Sequence, residues 1–220
     1  MELQQRMQRF LAADLYVAIT ESFCGGRSAL EVLDACLDAG VSLIQMREKD
    51  RSSADLYRLG CAFRDRTRAA GALLIINDRI DIALAVEADG VHLGQEDLPL
   101  VAARTIAPNL ILGASSSGLD QALAAQEAGA DYVNIGPIYA TDTKHVASGA
   151  VGPEIIGVMR PRLRIPLTCM GGIKSHNVHE VLEQGIRHVA VVTAVTAADD
   201  IRGAAKTMRE QINAARGARL

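Results

Sequence analysis

A chain of 220 residues is long enough to bury a substantial core. Its 49% hydrophobic and 22% charged content is that of a globular protein, and a net charge of −3 excludes global attraction to nucleic acid or acidic membrane, so any anion site must be local. No apolar run approaches the length of a bilayer span, and the N-terminal MELQQRMQRFLAADLY lacks the basic-then-apolar order of a secretion signal. Four scattered cysteines, Cys24, Cys36, Cys61 and Cys169, read as reduced packing thiols of a cytoplasmic protein.

Along the chain, short β-rich runs recur at 15–20, 41–47, 72–77, 90–93, 110–115, 131–136, 165–170 and 188–193. Most are near-continuously apolar, as strands covered on both faces must be. Helical patterns lie between them, such as 28–39, 52–70, 119–128 and 175–183. Several open on a serine or aspartate able to cap, and several close at a glycine: Gly40, Gly71, Gly129 and Gly185. The endings repeat, with Asp-Ala-Gly-Val before the second strand, Glu-Ala-Gly-Ala-Asp before the sixth and Glu-Gln-Gly-Ile before the eighth. Eight β-then-α units predict an α/β fold, a single (β/α)8 TIM barrel over residues 1–220 in which 1–14 form a helical extension. The alternative is an open doubly wound sheet, but no Gly-x-Gly-x-x-Gly follows the first strand.

In such a barrel the chemistry sits where strands end, and the polar outliers fall there in order. After the second strand, period-two alternation puts Gln45, Arg47 and Lys49 on one side at the barrel mouth. Two cations and an amide converging there suit an oxyanion-rich ligand, with Arg as a fork and Lys as a mobile point charge. The third strand ends in Asn77-Asp78, and the fourth leads into Gly94-Gln95-Glu96-Asp97. Asp78 and Asp97 on neighbouring strand ends, with cations close by, form the pattern of a Mg²⁺-diphosphate site, since magnesium takes a few carboxylates and completes its octahedron with water and phosphate oxygens. Asp97 also reads as a helix N-cap ahead of Leu98-Pro99.

The fifth strand ends in Ser115-Ser116-Ser117, hydroxyls able to hold a phosphate or a pyrimidine edge, or to form a capped turn. The segment 140–152 after the sixth strand carries Thr141, Asp142, Thr143 and Lys144 and has the length of a mobile lid. Gly171-Gly172-Ile173 and Val192-Thr193-Ala194 end the seventh and eighth strands, where many barrels bind a phosphomonoester through backbone N–H groups. Of the five histidines, His92 reads as a hydrogen-bonded core residue; His176 and His179 open the seventh helix without a third zinc ligand, and His145 and His188 have no assigned role.

Six motifs now stand in order: Gln45-x-Arg47-x-Lys49, Asn77-Asp78, Gly90-Val91-His92-Leu93-Gly94-Gln95-x-Asp97, Gly113-x-Ser115, Thr141-x-Thr143-Lys144 and Gly171-Gly172-Ile173. Together they resemble the thiamine phosphate synthase (thiamine-phosphate pyrophosphorylase) family. The resemblance implies a transferase that joins 4-amino-2-methyl-5-hydroxymethylpyrimidine diphosphate to 4-methyl-5-hydroxyethylthiazole phosphate, giving thiamine phosphate and pyrophosphate by a Mg²⁺-assisted dissociative substitution. It implies that Gln45, Arg47, Lys49, Asn77, Ser115 and Lys144 hold the pyrimidine diphosphate, with Arg47, Lys49 and Lys144 neutralising the leaving group. Asp78 and Asp97 would ligate Mg²⁺, while Thr141, Asp142, Thr143, Gly172, Val192 and Thr193 would surround the thiazole phosphate. The implied partners are phosphorylated small molecules rather than nucleic acid or membrane, and a homo-oligomer is compatible with them.

The chain departs from the family pattern at Ser117, where a histidine is common, at Cys169-Met170, and at Arg187-His188 before the last strand. The alternatives are a thiazole tautomerase, which relies on that histidine and typically lacks the full metal-diphosphate set, and a non-catalytic barrel that kept its phosphate sites.

Overall fold

A computed structural model gives the structure of the protein and describes residues 1–141 and 149–217. Helix α1 (Leu3–Ala12) precedes β1 (Leu15–Ile19), and α2 (Ala29–Asp38) leads to β2 (Leu43–Met46). There follow α3 (Ser53–Ala69), β3 (Leu73–Asn77), α4 (Ile80–Ala85), β4 (Gly90–Leu93), α5 (Leu100–Ile106), β5 (Ile111–Ser116), α6 (Leu119–Glu127) and β6 (Tyr132–Ile135). The chain ends through α7 (Glu154–Met159), β7 (Leu167–Cys169), α8 (Val178–Glu183), β8 (His188–Val191), the short α9 (Thr193–Thr196) and α10 (Ile201–Gly217). The strands are parallel and close β1 to β8 in sequence order, with β8 hydrogen-bonded back to β1. The fold is therefore a (β/α)8 barrel, and closure removes the open-sheet alternative.

Local signals act as the sequence suggests. Ser28 accepts from the Glu31 N–H while the Glu31 side chain reaches back to Ser28, a reciprocal cap on α2. Ser52 accepts from the Asp55 N–H at the start of α3. Gly40, at φ 79°, ends α2 in the left-handed conformation that lets the chain turn straight into β2. The exception is α8, which starts at Val178 rather than 175 because the Asn177 side chain accepts from the Lys174 N–H and holds 174–177 as a turn. His176 therefore lies ahead of the helix, not on it.

Two apolar layers result. The larger lies between strands and outer helices. The smaller fills the lower barrel with Tyr16, Leu43, Leu73, Ile75, Ile111, Tyr132 and Ala190, and Phe10 of α1 closes it from below at 0% exposure. Burying such a ring is worth roughly 1.5–3 kcal/mol. Above that layer the same inward parity turns polar, giving Gln45, Asn77, His92, Ser115 and Asn134.

The strand entrances are held by aspartates. Asp14 accepts from the Leu15 N–H and pairs with Arg209 at 2.9 Å; Asp89 accepts from the Leu74 N–H and pairs with Arg64 at 2.7 Å; Asp131 accepts from the Leu112 N–H and pairs with Arg104 at 2.6 Å. Burial alone would raise the Asp14 carboxyl, but Arg209, the Leu15 N–H and Asn213 outweigh it and hold the group below its ordinary range.

Candidate active site

The polar upper layer opens into a cavity of about 440 Å³ at the C-terminal ends of the strands. Gln45, Arg47, Lys49, Asn77, Asp78, Asp97, Ser115 and Thr141 all line it. Alternation carries on past the end of β2: Glu48 points away, accepting from the Glu21 N–H at 2.7 Å and pairing with Arg51, while Arg47 and Lys49 face the cavity. Arg47 is braced by a 3.4 Å hydrogen bond to the Thr20 hydroxyl, and among the described residues it meets no carboxylate within ion-pair distance.

Asp78 sits at φ 61°, a left-handed conformation that Asp tolerates but that costs free energy in the middle of a chain. There it lies 3.4 Å from the Lys49 ammonium and beside the carboxyl of Asp97. Burial, and then the adjoining Asp97 carboxyl, push Asp78 above its ordinary range, and Lys49 only partly opposes them. Asp97 is turned back by accepting from the Gly94 N–H at 2.6 Å, and a Cβ at Gly94 would stand 2.9 Å from its oxygen and push the carboxylate aside. The N-cap alternative for Asp97 does not hold, because α5 begins three residues on with Pro99 at its cap. Asn77 is 8% exposed, and its amide nitrogen has no partner among the described residues.

Two hydroxyls of the fifth strand are already committed. Ser116 donates to the Asn134 carbonyl at 3.2 Å, and Ser117 donates to Gln121 at 3.0 Å as a cap-like contact on α6. Ser115 alone of the three has its hydroxyl on the polar layer, 2.9 Å from His92 Nε2. His92 is thus hydrogen-bonded as expected, but it also lines the cavity.

The other half of the expected set is less assembled. Gly172, Val192 and Thr193 do not line this cavity among the described residues. Gly171 and Gly172 have φ of 105° and 64°, and Cβ atoms there would lie 2.5 Å from Pro137 and 2.7 Å from the Ala140 carbonyl. The pair thus permits the loops after β6 and β7 to pack backbone to backbone, seen also in the Tyr139 N–H donating to the Gly171 carbonyl at 3.0 Å. Val192 caps α9, its carbonyl accepting from the N–H groups of Val195 and Thr196. Asp142, Thr143 and Lys144, and most of the 140–152 segment, lie outside the described residues.

Sequence reasoning passed over Tyr16, Gln121, Asn134 and Met170, which also line the cavity. For Tyr16 and Asn134 the signal was present: each is a polar group at inward parity within an otherwise apolar strand. Among the described residues no cysteine lines the cavity, and no group of three or more His, Cys, Asp or Glu side chains stands together as a metal cluster.

A sequence profile described as thiamine monophosphate synthase matches residues 15–195. The thiamine-phosphate synthase of Moorella thermoacetica is 45% identical over 205 residues, 93% of this chain and 98% of the relative. That of Chloroflexus aurantiacus is 42% identical over 199 residues, 90% and 92% respectively. The solved thiamine phosphate pyrophosphorylase of Pyrococcus furiosus superposes with a TM-score of 0.87 at 37% identity, covering 94% of this chain and 98% of that one.

Proposed function

The chain belongs to the thiamine monophosphate synthase family, and on that premise we propose that its cavity binds a pyrimidine diphosphate with magnesium and releases pyrophosphate ahead of attack by the thiazole nitrogen. It is a transferase that condenses hydroxymethylpyrimidine diphosphate with thiazole phosphate to form thiamine phosphate.

The observation that carries the site assignment is the Asp78–Asp97 pair. Two adjoining carboxylates, one raised by burial and by the other and answered among the described residues by Lys49 alone, are short of positive charge there. Two oxygen donors, with no third His, Cys, Asp or Glu beside them among the described residues, suit a cation that leaves its other positions to water and phosphate. Magnesium held by Asp78 and Asp97 would supply neutralisation of the diphosphate oxygens.

The remaining roles belong to side chains. Arg47, without a carboxylate partner among the described residues, and Lys49 take the charge that grows on the bridging oxygen as the C–O bond breaks and its electron pair leaves with pyrophosphate. Lys144 joins them on the strength of its motif. The orphaned Asn77 amide nitrogen donates to the same diphosphate. Gln45 and Ser115 hold the pyrimidine, so that its methylene carbon meets the thiazole nitrogen and a C–N bond forms. No nucleophilic side chain is needed in this reading, because the thiazole nitrogen itself supplies the electron pair of the new bond.

Thr141, Asp142, Thr143, Gly172, Val192 and Thr193 surround the thiazole phosphate in this reading, and the 140–152 loop excludes water from the reacting carbon. The whole chain acts as one barrel domain, with residues 1–14 as its extension. A cytoplasmic location is part of the same proposal: all four cysteines are free, and among the described residues no helix is long and apolar enough to cross a membrane.

Incubation of the full chain with both substrates and Mg²⁺ is expected to release thiamine phosphate and pyrophosphate in equal amounts, and chelation of the metal should stop it. Turnover undiminished in excess chelator would overturn the metal assignment.

A further inference from the structure

A continuous line of buried polar groups crosses the barrel beneath the cavity. The Gln45 amide nitrogen donates to the Tyr16 hydroxyl at 2.5 Å, and the Tyr16 and Tyr132 hydroxyls lie 3.1 Å apart. Tyr132 then lies 2.9 Å from His92 Nδ1, and His92 Nε2 lies 2.9 Å from the Ser115 hydroxyl. Both phenols are fully buried, and burial holds both well above their ordinary range, so each keeps its proton. The line exists because of Gly113: a Cβ there would fall 2.1 Å from the Tyr132 ring, so only glycine lets Tyr132 reach the barrel axis.

Each phenol has one proton to give. Tyr16 accepts from Gln45 and therefore gives its proton to Tyr132, and Tyr132 gives its own to His92 Nδ1. A neutral imidazole that accepts at Nδ1 carries its proton on Nε2 and donates it to Ser115. The Ser115 proton is then left for the cavity, since its hydroxyl has no other partner among the described residues. At the opposite end the Gln45 amide oxygen is left as an acceptor, also without a partner among those residues.

We propose that the Gln45–Tyr16–Tyr132–His92–Ser115 line is a one-way hydrogen-bond relay that fixes Gln45 as acceptor and Ser115 as donor toward the substrate ring, and so selects an aminopyrimidine over its oxo counterpart. Tyr16, Tyr132 and His92 are positioning residues in this scheme, acting through Gln45 and Ser115. The exocyclic amine gives a proton to Gln45, and a ring nitrogen accepts one from Ser115. A ring carbonyl in place of the amine would set oxygen against oxygen at Gln45, and the relay cannot reverse one end without reversing all of it. The selectivity rests on the proposed role of Gln45 and Ser115 in holding the pyrimidine; the direction of the relay is a property of the unliganded chain.

The direction is read by ¹⁵N NMR of the full-length protein, with the His92 ring identified by its loss in His92→Gln. A bare Nδ1 and a protonated Nε2 are expected, and the opposite tautomer overturns the relay as drawn. Selectivity is read from kcat/KM for the aminopyrimidine diphosphate and for its 4-oxo analogue, in the wild type and in Tyr132→Phe. The intrinsic difference in reactivity between the two rings cancels in the comparison of ratios. Tyr132→Phe should lower kcat/KM for the amino substrate about ten-fold and shrink the amino-to-oxo ratio by a similar factor, leaving KM for the thiazole phosphate within about two-fold. A ratio unchanged in the folded variant overturns the selectivity. Tyr16→Phe breaks the same line from the other strand and decides the matter if Tyr132→Phe fails to fold. Absence of turnover with either ring in the wild type would sink the pyrimidine reading of the cavity itself, while the His92 tautomer would still report the relay.

Discussion

The two ends of this barrel spend their charges differently. At the entrances of the strands, Asp14, Asp89 and Asp131 each take a backbone N–H and at least one arginine, and Asp89, which meets both Arg64 and Arg6, is only 1% exposed. At the exits, among the described residues, Arg47 has a threonine for company, Asn77 has an orphaned nitrogen, and Asp78 and Asp97 stand beside one another with one lysine for the pair. At the entrances the carboxylates are ion-paired with arginines of the protein, although Arg6 Nε, Arg64 Nε and Asp89 Oδ1 lack a hydrogen bond among the described residues. The two carboxylates at the exits, by contrast, share one lysine among those residues. Stability and function are thereby separated along a single axis, which is the division of labour this fold allows.

The largest expected effect is at the exits. Asp78→Asn keeps a residue that tolerates φ near 61° and removes one carboxylate of the pair. It should lower kcat/KM by about 10³-fold in steady-state assays, the scale of losing one preorganised group that answers developing charge. The same change should raise the melting temperature measured without metal. The sign follows from linkage: Asp78 is held above its ordinary range in the fold, so its ionisation costs stability as pH rises through that range, and the amide escapes the cost. Saturating Mg²⁺ is expected to raise the melting temperature of the wild type, and Asp78→Asn should lose that shift. A variant both inactive and less stable would erase the contrast between the two ends.

Next in size is the reverse experiment below. Asp89→Asn leaves Arg64 and Arg6, each 12% exposed, without their shared carboxylate and weakens the lock on Leu74. Stripping one partner from so buried a pair should cost about 3 kcal/mol in denaturant unfolding. The kcat/KM of the folded variant should stay within about two-fold. Loss of activity without loss of stability would show that the entrance locks also shape the site.

Much of this was legible in the sequence because two short-range periods carry it. Apolar runs broken by helix-stop glycines gave away the barrel; strand-end position put Asn77, Asp78 and Asp97 on one rim, and parity added Gln45, Arg47 and Lys49. What parity cannot give is how a side chain is spoken for. Ser115, Ser116 and Ser117 are alike in sequence, yet Ser116 is used up by Asn134 on the next strand and Ser117 by Gln121 one turn on, partners no single run of residues displays. The Gly171-Gly172 pair was read for the N–H groups it could offer. Its positive φ values also serve contact with the loop after β6, a long-range demand. Tyr16 and Tyr132, far apart along the chain, meet only because β1 and β6 face each other across the barrel.

The smallest expected effect lies at Ser117, where the chain departs from the common pattern of its family. If the residue at this place contributes to the reaction here, its loss must reach the substrate. In the fold its hydroxyl and its N–H both reach the Gln121 side chain, at 3.0 and 2.8 Å, and the residue lies one step beyond the end of β5. Ser117→Ala keeps the N–H contact and gives up one half-exposed hydrogen bond, worth about 0.5 kcal/mol of stability. Turnover should stay within about two-fold, because Ser115, not Ser117, carries the free hydroxyl proton. Gln121 lines the cavity, so there is one route by which the prediction can break: if Ser117 aims Gln121 at the ligand, Ser117→Ala and Gln121→Ala should both raise KM for one substrate by ten-fold or more. Parallel KM values in the two variants and the wild type would instead leave the rim's function with Ser115 and the charged groups beside it.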